Sequence, residues 1–342
     1  MTTGCWTRRR GLGSSLETLI RRPEGYDQAT RYGHDTTTSG QPVEKAVEIS
    51  YTQSAHGLGG ELVQRAPGCV VRSSGLRSYL TTTRGATVRP NKIKQMWRAG
   101  QYVTMGWLSI SHGFTAEVMA RQGFDTLCID MQHGTTEMNE VWPMLQAISQ
   151  TDTVPVVRVP WNDPATIMKA LDLGAYGIIV PLVNTAADAA QAVAACRYPP
   201  VGMRSSGPVR ALHYGGADYV AKANDEIVIM AMIETKEGLA NLDASCATPG
   251  LDAVYIGPAD LSFALGLVPR GDNPDPVHMA TCDKIRAAAH KHGIKAVMHC
   301  ASAEFAAGAV QRGFDMVMLT SDLASMIAGA RRQLDELKAA TA

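Results

Sequence analysis

Two acidic side chains sit where short apolar runs end, Glu234 in Ile233-Glu234-Thr235 and Asp260 in Gly257-Pro258-Ala259-Asp260-Leu261. Carboxylates brought to one rim make a hard-oxygen site with room for water and an α-keto acid. Either motif alone would serve as a helix N-cap or a rim ion pair. As the acids that end two successive runs, they read as metal ligands. Mg²⁺ and Mn²⁺ both suit carboxylate and water ligands, Co²⁺ is a further fit, and the sequence does not choose among them. Arg158 ends another run and carries a planar, permanently charged donor fork. It could polarise a keto oxygen and stabilise an enolate, or form a structural ion pair. His133 follows Asp130 in Asp130-Met131-Gln132-His133-Gly134. Its unperturbed pKa near neutrality suits an acid/base, and a hydrogen-bonded barrel histidine is the bland alternative. The backbone amides of Gly257-Pro258-Ala259-Asp260 could receive a carboxylate, or simply make a tight turn. Asp172 stands at the C-terminal end of an expected helix, where the dipole disfavours an acid. That suggests a specific partner, such as His133 of the partner subunit. His290 and His292 read as surface residues, and Met230, Met232, Met298 and Met318 as core packing.

These side chains need a frame. Eight β-rich apolar runs recur, Val103–Ile110, Thr126–Met131, Val154–Val159, Gly177–Val183, Ile227–Ile233, Ala253–Ile256, Lys295–His299 and Met316–Leu319. Runs such as Gly177–Val183 are apolar throughout, as a parallel sheet buried on both faces requires. Helical stretches lie between them, Thr115–Gln122, Asp163–Leu173, Thr185–Cys196, Asp275–His292 and Ala303–Arg312. Most stop at a glycine, and Pro164 stands in a first turn. Eight strand–helix units over residues 91–342 predict a (β/α)₈ barrel. A doubly wound open sheet is the alternative, but its usual Gly-rich first turn is missing. Active sites of such barrels lie at the C-terminal strand ends. Asp130, His133, Arg158, Glu234, Asp260, His299 and Asp322 all collect there, and the opposite ends present no comparable set.

Residues 1–90 are different. They are rich in Arg, Ser, Thr and Gly, with sparse, aperiodic apolar residues. Such a stretch buries too little to offset its ordering entropy, so a low-structure extension is expected. Arg8, Arg9 and Arg10 leave organellar targeting open, against which Glu17, Glu24, Asp27 and Asp35 argue. Gly57-Leu58-Gly59-Gly60 has no following Gly-Lys-Ser/Thr and is no phosphate loop. The 342 residues carry 32 basic and 32 acidic side chains, so no nucleic-acid or anionic-membrane footprint is implied. No apolar run reaches the roughly 20 residues that span a bilayer. Seven scattered cysteines without a C-x-x-C pair fit free thiols in a reducing, cytoplasmic setting.

The region from Asn91 to Leu337 resembles the metal-dependent class II pyruvate aldolases that cleave hydroxy-keto acids, a group that includes 4-hydroxy-2-oxoheptanedioate and 2-dehydro-3-deoxyglucarate aldolases and the related macrophomate synthase. The matching segments are Gly106-Trp107-Leu108, Asp130–Gly134, Val157–Pro160, Leu171–Ala175, Pro199–Arg204, Ile233–Thr235 and Ile256–Leu261. The resemblance implies that Glu234 and Asp260 are the metal ligands and that Arg158 binds the pyruvate oxygen. It implies that His133 is the acid/base, linked with Asp130 and with Asp172 of an adjoining subunit. Trp107 would lie beside the substrate, and Gly257, Ala259 and Asp260 would line it, with backbone amides on its carboxylate. A homo-oligomer, a hexamer by family resemblance, follows. Three departures stand out: Gln132 where Glu is frequent, Met232 where Gln is frequent, and Ser205-Ser206-Gly207 after Arg204. They bear on the aldehyde pocket and the proton path.

The expected reaction is reversible aldol cleavage of a 4-hydroxy-2-oxo acid to pyruvate and an aldehyde. The C4 hydroxyl proton leaves through His133, the C3–C4 bond breaks, and a pyruvate enolate forms beside Arg158. No lysine among Lys169, Lys222 and Lys295 ends a strand suitably, and Lys236 only marginally, so a Schiff base is disfavoured. Oxaloacetate decarboxylation, or another enolate-forming lyase reaction such as acyl-CoA cleavage, on the same site is the nearest rival, and no nucleotide-binding basic patch favours a CoA thioester. A keto-acid-binding barrel without catalysis is the rival of another class.

Overall fold

The computed structural model describes residues 88–342. The expected extension, residues 1–90, lies outside them apart from residues 88–90, as does the Gly57–Gly60 stretch. The chain enters through helix α1 (Lys92–Arg98) into strand β1 (Val103–Leu108). There follow α2 (Gly113–Ala120), β2 (Thr126–Asp130), α3 (Met138–Ile148), β3 (Val154–Arg158), α4 (Pro164–Asp172) and β4 (Gly177–Val180). Then come α5 (Ala186–Cys196), α6 (Val209–Gly215), α7 (Tyr219–Glu226), β5 (Val228–Met232), α8 (Lys236–Ala240), α9 (Leu242–Cys246) and β6 (Ala253–Ile256). The last elements are α10 (Pro258–Ala264), α11 (Pro276–Lys291), β7 (Lys295–His299), α12 (Ala303–Gln311), β8 (Met316–Ser321) and α13 (Asp322–Thr341).

The strands are parallel and pair in sequence order, and β1 closes against β8. The fold is therefore the expected (β/α)₈ barrel and not an open sheet. The continuous apolar runs are buried on both faces: every residue of β2, β3, β4, β5 and β6 is buried. Helix starts follow the local chemistry. Asp163 accepts from the amides of Ala165 and Thr166 ahead of α4, with Pro164 in its first turn. Thr185 and Asp188 form a reciprocal capping box at α5.

α1 was not evident from the sequence. It is capped by Asn91, whose side chain also donates to the carbonyls of Tyr176 and Glu226. It buries Ile93 and Trp97, and the Trp97 indole N–H donates to the Asp315 carbonyl. α3 carries Pro143 in its interior, a residue that argues against a helix when read alone. Tertiary packing wins there, because Val141, Met144, Leu145 and Ile148 are all buried.

The N-terminal strand ends correct one expectation: they do carry an organised charged set. Asp125, Asp252 and Asp315 each stand one residue before an even-numbered strand, β2, β6 and β8. Each accepts a backbone N–H from the preceding odd strand, of Thr104, Ile229 and Ala296 respectively. Each also pairs with a cation, Lys92 at 2.8 Å, Arg197 at 3.0 Å and Lys295 at 2.8 Å. These acids tie neighbouring strands together. Their signal in the sequence, an Asp just before a strand, reads as an ordinary turn residue.

Candidate functional site

Strand register decides which side chains share the barrel interior. In-register partners on parallel strands point to the same face, and residues two apart along a strand do so too. Trp107 pairs with Cys128, and two residues on Asp130 pairs with Arg158. Met232 pairs with Tyr255, Tyr255 with Val297, and His299 lies two beyond Val297. The Trp107 and Tyr255 rings approach to 6.1 Å between centroids, which joins the two rows. One interior layer at the C-terminal mouth thus holds Trp107, Asp130, Arg158, Tyr255 and His299, and Glu234 extends the Met232 row.

Asp130 is the hub of this layer. It receives Arg158 Nε at 2.8 Å and Nη2 at 2.6 Å, a two-pronged charged contact. It also receives the Trp107 indole N–H at 3.2 Å and the backbone amides of Gln132 and His133. The pair is buried, with Arg158 only 7% exposed. Burial pushes the Asp130 carboxyl up, but the Arg158 guanidinium and these donors win and hold it below the usual range. Arg158 also lies over the Trp107 ring, 4.8 Å from its centroid. Its Nη1 is left without a protein partner among the described residues.

Glu234 is 2% exposed, just past the end of β5. Its Oε1 accepts the Leu182 amide at 2.9 Å. Leu182 holds a left-handed backbone with φ of 53°, a conformation that costs a non-glycine residue about 1 kcal/mol. That strain aims an amide at Glu234. The other oxygen rests over Gly257, where an added Cβ would collide with it. Burial raises the Glu234 carboxyl to about 7; the Asp260 charge adds to this, and the Leu182 amide and Arg158 oppose it. A buried carboxylate with a single amide partner is short of positive charge. Asp260, exposed in the first turn of α10, adds a second acid within electrostatic reach. These two acids and the glycine cradle fit a divalent cation completed by water and a keto acid. Among the described residues no group of three or more His, Cys, Asp and Glu converges.

The structure brings Trp107, Asp130, Arg158, Glu234 and Gly257 together. His133 joins through its backbone, and its exposed imidazole has no hydrogen-bond partner among the described residues. Ala259 is exposed beside Asp260. Asp172 lies elsewhere in its own chain. It ends α4 at the opposite end of the barrel and pairs with the buried Arg204 at 2.8 Å. Arg204 in turn donates to Tyr219 Oη and lies over the Tyr198 ring. Asp322, one of the rim acids, accepts the amides of Ser109 and Ile110 and so clamps the loop that follows Trp107. Sequence reading missed Leu182, because a left-handed leucine has no signature. It also missed Tyr255, whose hydroxyl pairs with His299 Nδ1 at 2.8 Å inside the layer.

Comparison with known proteins agrees with the barrel fold. Residues 103–329 match the HpcH/HpaI aldolase/citrate lyase family. A hydroxypyruvate/pyruvate aldolase of Rhizorhabdus wittichii is 41% identical over 249 residues, covering 73% of this chain and 99% of that protein. A 5-keto-4-deoxy-D-glucarate aldolase of Escherichia coli is 36% identical over 255 residues, covering 73% and 98%. The crystal structure of a family protein from Burkholderia cenocepacia superposes with a TM-score of 0.68 at 31% identity, over 72% of this chain and 99% of that one. With its barrel matched almost end to end, this chain belongs to the HpcH/HpaI aldolase/citrate lyase family.

Proposed function

We propose that this barrel is a carbon–carbon lyase that reversibly cleaves a 4-hydroxy-2-oxo acid to pyruvate and an aldehyde, with a divalent cation held by Glu234 and Asp260. The names of the aldolase relatives support the reaction class. One observation carries the site reading. The Arg158 guanidinium, locked by Asp130, keeps Nη1 free while its charge reaches the buried Glu234. A fixed cation opposite a buried acid is what an enolate-forming site requires.

When bound, Mg²⁺ or Mn²⁺ supplies Lewis-acid polarisation of the keto acid's oxygens. The chain does the rest. Arg158 Nη1 donates to the keto oxygen, where negative charge grows as the C3–C4 bond breaks. Asp130 acts as a positioning residue: with five donors on its two oxygens it has no capacity left for proton transfer. Trp107, buried beneath the guanidinium, excludes water from the enolate face. His133, exposed at the mouth, takes the C4 hydroxyl proton and releases the aldehyde. The enolate is then protonated at C3 to give pyruvate.

A homo-oligomer is part of this reading. α13 exposes Leu323, Met326, Ile327, Leu334 and Leu337, an apolar load that favours association of copies. Asp172 is remote from its own mouth, so its contribution would be to another copy's site. The test of the reaction is pyruvate release from a 4-hydroxy-2-oxo acid by protein stripped with EDTA. Activity returning with Mn²⁺ or Mg²⁺ supports the reading; full activity in the stripped protein overturns it.

A further inference from the structure

The Pro258 carbonyl, in the first turn of α10, is gripped by buried side chains that the mechanism above does not use. Ser262 Oγ donates to it at 2.6 Å, and His278 Nε2 reaches it at 3.3 Å from the first turn of α11. Asn273 Nδ2 donates to Ser262 Oγ at 2.9 Å, and Asn273 Oδ1 accepts the amide of Asp275, the residue that caps α11. His278 and Ser262 are 0% exposed and Asn273 is 4% exposed. A carbonyl oxygen only accepts, so Nε2 carries the imidazole proton. Nδ1 is then the acceptor, and the Cys282 thiol meets it at 3.6 Å. Burial pushes that thiol up to about 12, so it keeps its proton. Burial also pulls the imidazole below its ordinary value, so it stays neutral.

Buried polar side chains carry a desolvation cost that apolar residues of the same volume avoid. Fully paired, they fix one arrangement of the groups they join. Here they fix the peptide between Pro258 and Ala259, because a planar peptide follows its carbonyl. That peptide lies between the two parts of the proposed cation site. On one side of it Gly257 seats Glu234 Oε2. On the other, Asp260 stands exposed in the first turn of α10. α10 has seven residues and no side-chain hydrogen bond at its N-cap. So short a helix has little stability of its own. Its position is therefore set by what grips it, namely α11 and the loop that carries Asn273.

We infer that His278, acting with Ser262 and Asn273 through the Pro258 carbonyl, is a positioning residue that sets Asp260 and the Gly257 seat of Glu234 for a divalent cation. This rests on the proposed cation reading of those two acids. His278 is fully buried and acts on the cation only through the turn that it holds.

The experiment measures Mn²⁺ affinity by calorimetry on EDTA-stripped protein, with a thermal melt of each variant. It compares the wild-type chain with His278→Leu, His278→Gln, Cys282→Ala and Ile285→Ala. His278→Leu should weaken Mn²⁺ binding about tenfold, the worth of one hydrogen bond. His278→Gln puts an N–H donor back near the carbonyl and should recover most of the affinity. Cys282→Ala keeps the imidazole but frees its orientation, and should weaken binding less than His278→Leu; it serves as the test if His278→Leu does not fold. Ile285 is buried on the same helix, so Ile285→Ala should lower the melting temperature and leave Mn²⁺ affinity unchanged. Wild-type affinity in both His278→Leu and Cys282→Ala, no recovery in His278→Gln, or an equal loss in Ile285→Ala overturns the positioning role and leaves the cation reading intact. A wild-type chain that binds no Mn²⁺ overturns both.

Discussion

Asp130 grips Arg158 with both carboxylate oxygens, at 2.8 Å and 2.6 Å, inside the mouth of the barrel. The grip fixes the guanidinium plane and leaves one of its nitrogens for substrate. Removing the acid strands a buried charge, which costs about 3–5 kcal/mol in comparable cases. Asp130→Ala should lower stability by that order in a denaturant titration. Asp130→Asn keeps the shape and should lose less stability, yet lower kcat/KM by roughly a hundredfold, because Arg158 is no longer held. An Asp130→Asn protein with unchanged kcat/KM would contradict the positioning role.

Gly257 is required by close approach. A methyl group there meets Glu234 Oε2. Gly257→Ala should displace the carboxylate and weaken Mn²⁺ binding at least tenfold by calorimetry, the equivalent of about 1.4 kcal/mol. The melting temperature should change little, since the side chain that must move lies at the open end of the barrel. Wild-type Mn²⁺ affinity in this variant would show that Glu234 does not hold the cation.

The barrel was legible because its strands are continuous apolar runs and its helices stop at glycines. Gly123, Gly174, Gly293 and Gly313 all have positive φ, a conformation that other residues adopt at a cost. The strand-end side chains Asp130, Arg158 and Glu234 were legible for the same reason, since each closes a run. Three things were not. α1 and α3 are short or proline-bearing and are held by tertiary burial. The three Asp residues at the barrel bottom look like turn residues until strand pairing reveals which amides they accept. The Tyr255–His299 pair needs the register between β6 and β7, which no single run encodes.

The bottom acids predict how the fold responds to acid. Burial raises the carboxyls of Asp125 and Asp315, but their lysine, amide and hydroxyl or imidazole partners outweigh it and hold both below 3.8. A depressed folded value means that the stability they contribute is present above 3.8 and is lost as pH falls through the folded values. The share of the melting temperature that these two acids supply should therefore be flat down to about pH 5 and drop below about 4, while protonation of the buried Glu234 raises the melting temperature as pH falls through about 7. Asp125→Asn should lower the neutral-pH plateau and flatten the acid slope. An unchanged acid slope in Asp125→Asn would remove this cause.

Asp322 accepts the amides of Ser109 and Ile110, directly after Trp107 in the chain. Asp322→Ala leaves both amides to water or unpaired, at a cost of about 1–3 kcal/mol. Thermal melts should register that loss, and KM for the keto acid should rise as the loop beside Trp107 loosens. A variant as stable as the wild type would mean that the loop is held by other contacts.

Exchange of pyruvate methyl protons for deuterium, followed by proton NMR in heavy water, isolates enolate formation from any choice of aldehyde. The wild-type chain with Mn²⁺ should exchange them, EDTA should stop the exchange, and Glu234→Ala should not exchange at any Mn²⁺ concentration while keeping its fold. Exchange that proceeds at the wild-type rate in EDTA or in Glu234→Ala would contradict a cation gripped by Glu234 and Asp260 as the source of this chemistry.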